Sequence, residues 1–436
     1  MKIALFTETY EPQKNGVVVF LSTLIPLLTK EHQVILFTPG EKKLTIDPKS
    51  PNFKVIHVPG RPFPFYKGYS MAKLSFLDIY KIMEREKVDI AYLHIPVNLG
   101  IQGLAAAKLL RIPTIATYHT HLPDYFPHLT KGKLTVFEPV YKKTTTELIR
   151  RIYSNFDVVT SPSREFLHIL KKYGLKNVVY LPNGINHQKF RREYLQKFDG
   201  ILFEKYNIQK NVRIISYIGR ISFEKKLEIL LKAYKILERK YINLLLIIAG
   251  DGPYIEKYKE LAKKLEIRNI IFTGFVTDEM LRSIYYNTEI FASPSDTETS
   301  GLTFLEAMTA GLPVVGVRSG GVIDYVKDFS NGFLVEKGDP KHFAIAIDKL
   351  LLDPQLCANI RKNNILKSNE FSIENTYTKL MFIYGKMLKN KEIVKNSDLR
   401  LFPKVLNITI EELISLNRVI TWQKRKLQNL LQKRKM

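Results

Sequence analysis

Short apolar runs recur along the chain, each followed by a longer amphipathic stretch. KIALF at 2–6, QVILF at 33–37, DIAYL at 89–93, PTIAT at 113–117, DVVT at 157–160 and NVVYL at 177–181 are short, rich in β-branched or aromatic residues, and apolar at consecutive positions. Successive strand side chains point to opposite faces, so such runs are buried on both sides, as in parallel sheets covered by helices. Helical segments such as 98–110 and 163–173 lie between them. The series then restarts with VRIISYI at 212–218, NLLLIIA at 243–249, NIIFT at 269–273, EIFAS at 289–293 and PVVGV at 313–317. The alternation predicts an α/β fold, and the restart predicts two doubly wound domains split near 185–211. We expect one domain at 1–190, a second at 191–370, a closing helix at 371–395 and a basic helical extension at 396–436. The charged and aromatic segment 191–210 fits either a linker elaboration or a short helical insert.

A chain of 436 residues holds material for two cores, and 45% hydrophobic with 25% charged residues is ordinary for a globular protein. No apolar run reaches the roughly 18 residues of a membrane-spanning helix. The N-terminus MKIALFTETY enters a strand directly, and Glu8 and Glu11 follow without a small-residue cleavage site, which argues against a signal peptide. The single Cys357 forms no intrachain disulfide and fits a reducing cytoplasmic compartment. The net charge of +25 changes the picture more. It predicts affinity for polyanions, whether nucleic acid, anionic lipid or phosphorylated ligands, although a lysine-rich solvated surface gives the same figure.

The string ETSGLTFLEAMTAGLPVVG at 298–316 carries the most chemistry. Glu298 and Glu306 straddle a helix start, and eight helical residues span about 12 Å. Two carboxylates so spaced cannot grip one atom, but they can grip opposite ends of an extended polar ligand. Between them Ser300, Gly301, Leu302 and Thr303 offer backbone N–H groups at a helix N-terminus, where an anion is favoured. The bland alternative is a helix capped by Ser300 with exposed glutamates. A second string, YIGRISFEKK at 217–226, puts Arg220 and Lys225 in a strand-to-helix loop, where two cations suit a diphosphate. In TYHTHLPDY at 117–125, His119 and His121 share a face of an extended segment, with Asp124 nearby. No H-E-x-x-H pattern accompanies them, so His119 reads as a hydrogen-bonding site residue and His121 as structural, without metal. Gly16, in the loop after the first strand, starts a helix that could support a diphosphate, though Asn-Gly is also a plain turn signal. No G-x-G-x-x-G, P-loop or G-x-S-x-G occurs.

These four places together resemble the GT-B fold glycosyltransferases of family 4, over roughly residues 1–390. The wording ETSGLTFLEA is most similar to the diacylglycerol glycosyltransferases, whose motif commonly reads T-E-T-Q-G-L-T; Ser300 stands where Gln is common. The resemblance implies two Rossmann-like domains facing a cleft and retaining transfer of glucose or galactose from UDP-glucose or UDP-galactose. It implies that Glu306 binds the ribose hydroxyls and Glu298 the hydroxyls of the transferred sugar. Arg220 and Lys225 would hold the diphosphate with the backbone from Gly301 to Thr303, Ser300 and Gly16 adjoining. His119 would contact the sugar near its reacting carbon, and Val276, in TGFV, would meet the uracil through its backbone. The family usually needs no metal or other cofactor, and Asp296 to Glu298 is the nearest string to a D-x-D motif. Glu298 as a covalent nucleophile is a possible variant, but a front-face route aided by the leaving phosphate is what the family suggests.

The segment 61–87 bears on the acceptor. Phe63, Phe65, Tyr66 and Tyr69 precede an amphipathic stretch with Lys73, Lys81 and Arg85, a composition suited to an anionic membrane surface. The segment 131–152 and the basic extension with Trp422 have similar character. The expectation is therefore transfer to a diacylglycerol-type lipid by a cytoplasmic protein held on the inner face of the membrane. A phosphatidylinositol or soluble glycan acceptor is the near alternative. A nucleic-acid-binding protein is the distant one; it expects a recognition module or a base-stacking platform, and the sequence offers neither.

Overall fold

The computed structural model describes residues 1–389 apart from 14, 42, 63–69, 95, 97, 122 and 124–137. The aromatic cluster Phe63, Phe65, Tyr66 and Tyr69, the residue Asp124, the stretch 131–137 and the basic extension with Trp422 lie outside the described residues.

In the first half, the strands are β1 Lys2–Thr7, β2 Gln33–Pro39, β3 Thr45–Ser50, β4 Phe53–Val58, β5 Gly60–Pro62, β6 Ser70–Ala72, β7 Ile90–His94, β8 Thr114–Thr117, β9 Val158–Ser161 and β10 Val178–Tyr180. Eight of them form one sheet in the order β10-β9-β8-β7-β1-β2-β4-β3, parallel except at β3, while β5 and β6 form a small hairpin. The second half adds β11 Arg213–Ile218, β12 Leu244–Ala249, β13 Ile270–Gly274, β14 Ile290–Ala292, β15 Val314–Val317 and β16 Gly332–Val335. These make an all-parallel sheet in the order β13-β12-β11-β14-β15-β16.

The helices that cover the sheets are α1 Gly16–Glu31, α2 Phe76–Arg85, α3 Asn98–Leu109, α4 Glu138–Tyr153 and α5 Arg164–Lys172 in the first half. Short helices α6 His187–Phe190, α7 Arg192–Leu195 and α8 Ile201–Tyr206 follow. The second half carries α9 Leu227–Glu238, α10 Ile255–Lys264, α11 Asp278–Asn287, α12 Leu302–Thr309, α13 Pro340–Leu352, α14 Pro354–Ser368 and finally α15 Ile373–Lys389. The short-insert reading of 191–210 therefore holds, and the insert is packed: Leu202 N–H donates to Ser283 Oγ of α11 at 3.0 Å.

The consecutive apolar residues of each strand feed two cores at once. Ala4 and Phe6 of β1 join Ile35, Phe37, Ala91 and Leu93 on one face. Ile3 and Leu5 join Val34, Leu36, Ile90 and Tyr92 on the other. The second sheet repeats this, with Ile215 and Tyr217 on one side and Ile214 and Ile218 on the other. Burial on both faces is why these strands tolerate no polar alternation.

The closing helix, at 373–389, packs on the first domain. Ile373, Leu380, Tyr384 and Met387 enter the core with Ile3 and Leu5, and the rings of Tyr92 and Tyr384 meet edge-on at 6.2 Å. The two chain crossings run side by side: Ile185 N–H donates to Phe371 O at 2.9 Å and Ile373 N–H to Ile185 O at 3.0 Å.

In the first sheet strand order reverses around β1 and β7, and in the second around β11 and β14. Ligands of open α/β sheets bind beyond the carboxyl ends of strands at such points. The loops after β1, β8, β11 and β14 carry Gly16, His119, Arg220 with Lys225, and Glu298 respectively. Both switch points thus face the same cleft.

Candidate active site

The cleft is closed at its floor by contacts between the two halves. Thr299 Oγ1 donates to the backbone oxygen of His119 at 2.8 Å. A Cβ placed on Gly16 would touch Leu302 Cδ1 at 3.7 Å, so the start of α1 faces the start of α12. Beside them Arg164 N–H, at the start of α5, donates to Asp324 Oδ2 at 2.5 Å.

Lys225 ends a one-turn 3-10 helix, Phe223–Lys225, and its Nζ donates to Glu298 Oε1 at 2.5 Å. Both side chains are largely buried, at 19% and 16% exposure, so this pair is less screened than a surface pair. Burial pushes the Glu298 carboxyl up, but the charge and hydrogen bond of Lys225 outweigh it and hold the carboxyl below its ordinary range. Arg220 follows the turn at Gly219, and its carbonyl accepts from Tyr217 Oη at 2.9 Å, which fixes the backbone of that loop. The turn needs Gly250 opposite it, where a Cβ would stand 1.9 Å from Gly219 O.

Helix α12 begins without a side-chain cap. Its N-cap is Gly301, not Ser300, with φ 67 and ψ 50, and no acidic residue occupies its first turn. A side chain at Gly301 would put a Cβ 2.4 Å from Tyr325 Oη, the hydroxyl that donates to the carbonyls of Ser300 and Gly301 at 3.0 and 3.1 Å. Two of the helix starts nearby are filled. Asn15 Oδ1 accepts from Val17 and Val18 N–H at 3.0 and 3.1 Å at the start of α1. Glu8 Oε1 accepts from Leu99 N–H at 2.5 Å at the start of α3. Of these three starts, α12 is the one whose dipole end and backbone donors remain open to an anion.

Glu298 precedes α12 rather than riding on it, so the straight helical rise separates only Leu302 from Glu306. Glu306 itself is 7% exposed, unlike an ordinary surface glutamate. Its Oε2 accepts from Tyr285 Oη at 2.7 Å. Burial pushes its carboxyl up to about 7, against the opposing hydrogen bond of Tyr285 and the charge of Lys189. Val276 sits in the loop between β13 and α11, also at the carboxyl edge of the second sheet, next to the exposed ring of Phe275.

His119 is 9% exposed, two residues past β8, and burial pushes its imidazole down to about 3, so the ring is neutral. Its Nε2 lies 2.9 Å from Nδ1 of His94, a residue that the sequence pattern hides at the end of a core strand. His121 hydrogen-bonds Tyr118 Oη at 2.8 Å and packs on Phe166, as a structural residue does. Among the described residues no group of three His, Cys, Asp or Glu side chains could hold a metal ion. Tyr285, His94 and Glu8 all escaped the sequence reading. Each is a buried group whose partner lies far along the chain, and only Glu8, an acidic residue beside a buried strand, left a visible signal.

Comparison with known proteins decides the family. The family model for glycosyl transferases group 1 matches residues 199–367, and that for Glycosyltransferase Family 4 matches residues 14–189. An alpha-monoglucosyldiacylglycerol synthase of Streptococcus pneumoniae is 33% identical over 319 residues, covering 72% of this chain and 70% of that one. The chain belongs to the family 4 glycosyltransferases. An alpha-monoglucosyldiacylglycerol synthase of Acholeplasma laidlawii is 29% identical over 391 residues, covering 86% of this chain and 94% of that one. Among solved structures, Anabaena HepE in complex with UDP-glucose superimposes with a TM-score of 0.67 at 17% identity, covering 88% of this chain and all of that one. This likeness bears out the GT-B architecture of two Rossmann-like domains. The family 4 glycosyltransferase is therefore a transferase whose cleft joins Lys225, Glu298 and the open start of α12.

Proposed function

We propose that this glycosyltransferase moves a hexose, glucose or galactose, from a UDP-sugar to a diacylglycerol-type lipid with retention of anomeric configuration. The observation that carries the reading is the buried Lys225–Glu298 pair beside an uncapped helix start. A diphosphate entering there competes for Lys225, and the freed Glu298 carboxylate turns to the hydroxyls of the sugar. Loss of the nucleoside diphosphate concentrates negative charge on the leaving phosphate. Lys225, Arg220 and the backbone from Gly301 to Thr303 are aimed at that charge, so they favour the transition state over the ground state. The leaving phosphate takes the acceptor proton on the same face. Glu306 binds the ribose hydroxyls, Val276 meets the uracil, Gly16 and Ser300 complete the wall, and His119 contacts the sugar.

The lipid acceptor is supported by the names of both relatives, and the α-glucosyl linkage in those names matches retention from an α-linked nucleotide sugar. It is supported also by large apolar side chains left in solvent before and in α2. Leu74 is 74% exposed and Leu77 67%, with Met71 beside them on β6 and the cations Lys81 and Arg85 exposed on the helix. No described helix is long and apolar enough to cross a membrane, so contact with an anionic membrane surface is peripheral in this reading, on its cytoplasmic face. Incubation with UDP-glucose, UDP-galactose and GDP-mannose, each with diacylglycerol vesicles, phosphatidylinositol vesicles or soluble glycans, tests it by mass analysis of products. Transfer only from GDP-mannose, or only to soluble glycans, would remove the corresponding half.

A further inference from the structure

The strongest feature not absorbed by this reading is the histidine behind His119. His94 ends β7 with no exposed surface, its ring centroid 5.2 Å from that of His119, and Phe20 stands 5.9 Å from both rings. One proton lies between His94 Nδ1 and His119 Nε2. The other nitrogen of His94, Nε2, is buried and has no hydrogen-bond partner among the described residues. Burial holds both rings in the neutral form, so each carries one N–H. Two arrangements remain. If His119 donates, His94 must carry its proton on Nε2, which leaves a buried N–H with no acceptor. If His94 donates, only a lone pair is left unmatched. Orphaned buried N–H groups are the rarer and costlier case.

We infer that His94 is a positioning residue that fixes His119 in the Nδ1–H tautomer, so that His119 meets the donor sugar as a neutral hydrogen-bond donor. The geometry is consistent on both sides of the ring. The His119 backbone is pinned by Thr299 and its Nε2 by His94, which leaves Nδ1 as the one ring nitrogen able to address a ligand. A neutral donor orients a sugar hydroxyl without adding positive charge beside a carbon that becomes cationic as the leaving group departs. The tautomer assignment stands on the histidine pair alone; its catalytic consequence rests on His119 lying at the donor sugar, as proposed above.

The test has two independent readouts. In protein labelled with 15N-histidine, assigned through His94→Asn and His119→Asn, NMR should report Nδ1–H on both His94 and His119. A proton on His119 Nε2 would overturn the inference. In turnover assays, His94→Leu, which removes the donor, should lower kcat by roughly tenfold with a smaller change in donor KM. His94→Asn, whose amide N–H stands near the Nδ1 position, should recover most of that loss. Parental kcat in His94→Leu would refute the positioning role, and a thermal melt of each variant separates misfolding from lost alignment. Parental turnover in His119→Ala would instead sink the donor-site reading of His119 and leave the NMR result to decide the tautomer.

Discussion

Replacing Glu306 with Gln should make the enzyme sturdier and worse at holding its donor. Burial moves this carboxyl from its ordinary 4.5 to about 7, so the folded state resists ionisation more than the unfolded chain does. The sign follows from linkage. Between pH 4.5 and 7 the folded protein binds more protons than the unfolded one, and stability falls as pH rises through that window. The full cost, about 3 kcal/mol, is present above pH 7 and absent below 4.5. Glutamine is neutral throughout and still offers Tyr285 an acceptor. Glu306→Gln should therefore melt higher than the parent at pH 8, by at most roughly 6–12 °C at about 2–4 °C per kcal/mol, and the two curves should converge near pH 4.5. Glu8, also pushed up to about 7 by burial, gives both proteins the same background slope. Donor affinity should fall roughly 10- to 100-fold, because hydrogen bonds to a charged group contribute about 1.5–3 kcal/mol. Scanning calorimetry across pH, with isothermal titration of UDP-glucose, checks both halves. A variant that melts below the parent at pH 8 and binds donor undiminished would refute the reasoning.

Three other variants probe the cleft. Lys225→Ala should cut kcat by about 100-fold or more, since it removes the cation that the proposed reading aims at the leaving phosphate; single-turnover kinetics reads this apart from acceptor KM. Gly301→Ala forces a side chain to adopt φ 67 and drives its Cβ to 2.4 Å from Tyr325 Oη. It should lose at least about 1–2 kcal/mol in urea unfolding together with UDP binding, and adding Tyr325→Phe should restore only the part due to the clash. Thr299→Val removes the hydroxyl that holds the His119 carbonyl across the cleft. It should lower kcat several-fold and leave the Kd of UDP, which the proposed reading places on the second domain, nearly unchanged, as titration against turnover would show.

Most of the parallel strands were legible because burial on both faces leaves runs with few polar interruptions, and every apolar run quoted above overlaps a strand of the structure, although the parallel strands β4 and β16 fall in none of those runs. The strand β3 was not legible, because TIDPKS is polar, exposed and broken by Pro48; it exists by pairing antiparallel to β4 at the edge of the sheet. The second-domain site was legible as a motif, since Glu298, Gly301 and Glu306 fall within nine consecutive positions. Its supports were not. Tyr285 reaches Glu306 from a different helix, and His94 reads as the tail of the strand run DIAYL. Hydrogen bonds between such distant buried groups leave no periodicity to detect. The cap position given to Ser300 by the bland reading is held by Gly301 in the left-handed conformation, with Tyr325, more than twenty positions on, donating to the two carbonyls at that turn.

Because Ile373–Lys389 returns to cover Ile3, Leu5 and Tyr92, the second lobe is an insertion within the first rather than its successor. A chain truncated near residue 370 would strip an apolar face bare and should aggregate, even though every catalytic candidate remains. Deleting the intervening lobe and ligating its flanks is the gentler cut, since Ile185 and Phe371 already touch through their backbones. Chimeras that swap donor specificity between relatives accordingly require two splice points, one at each of these adjacent crossings.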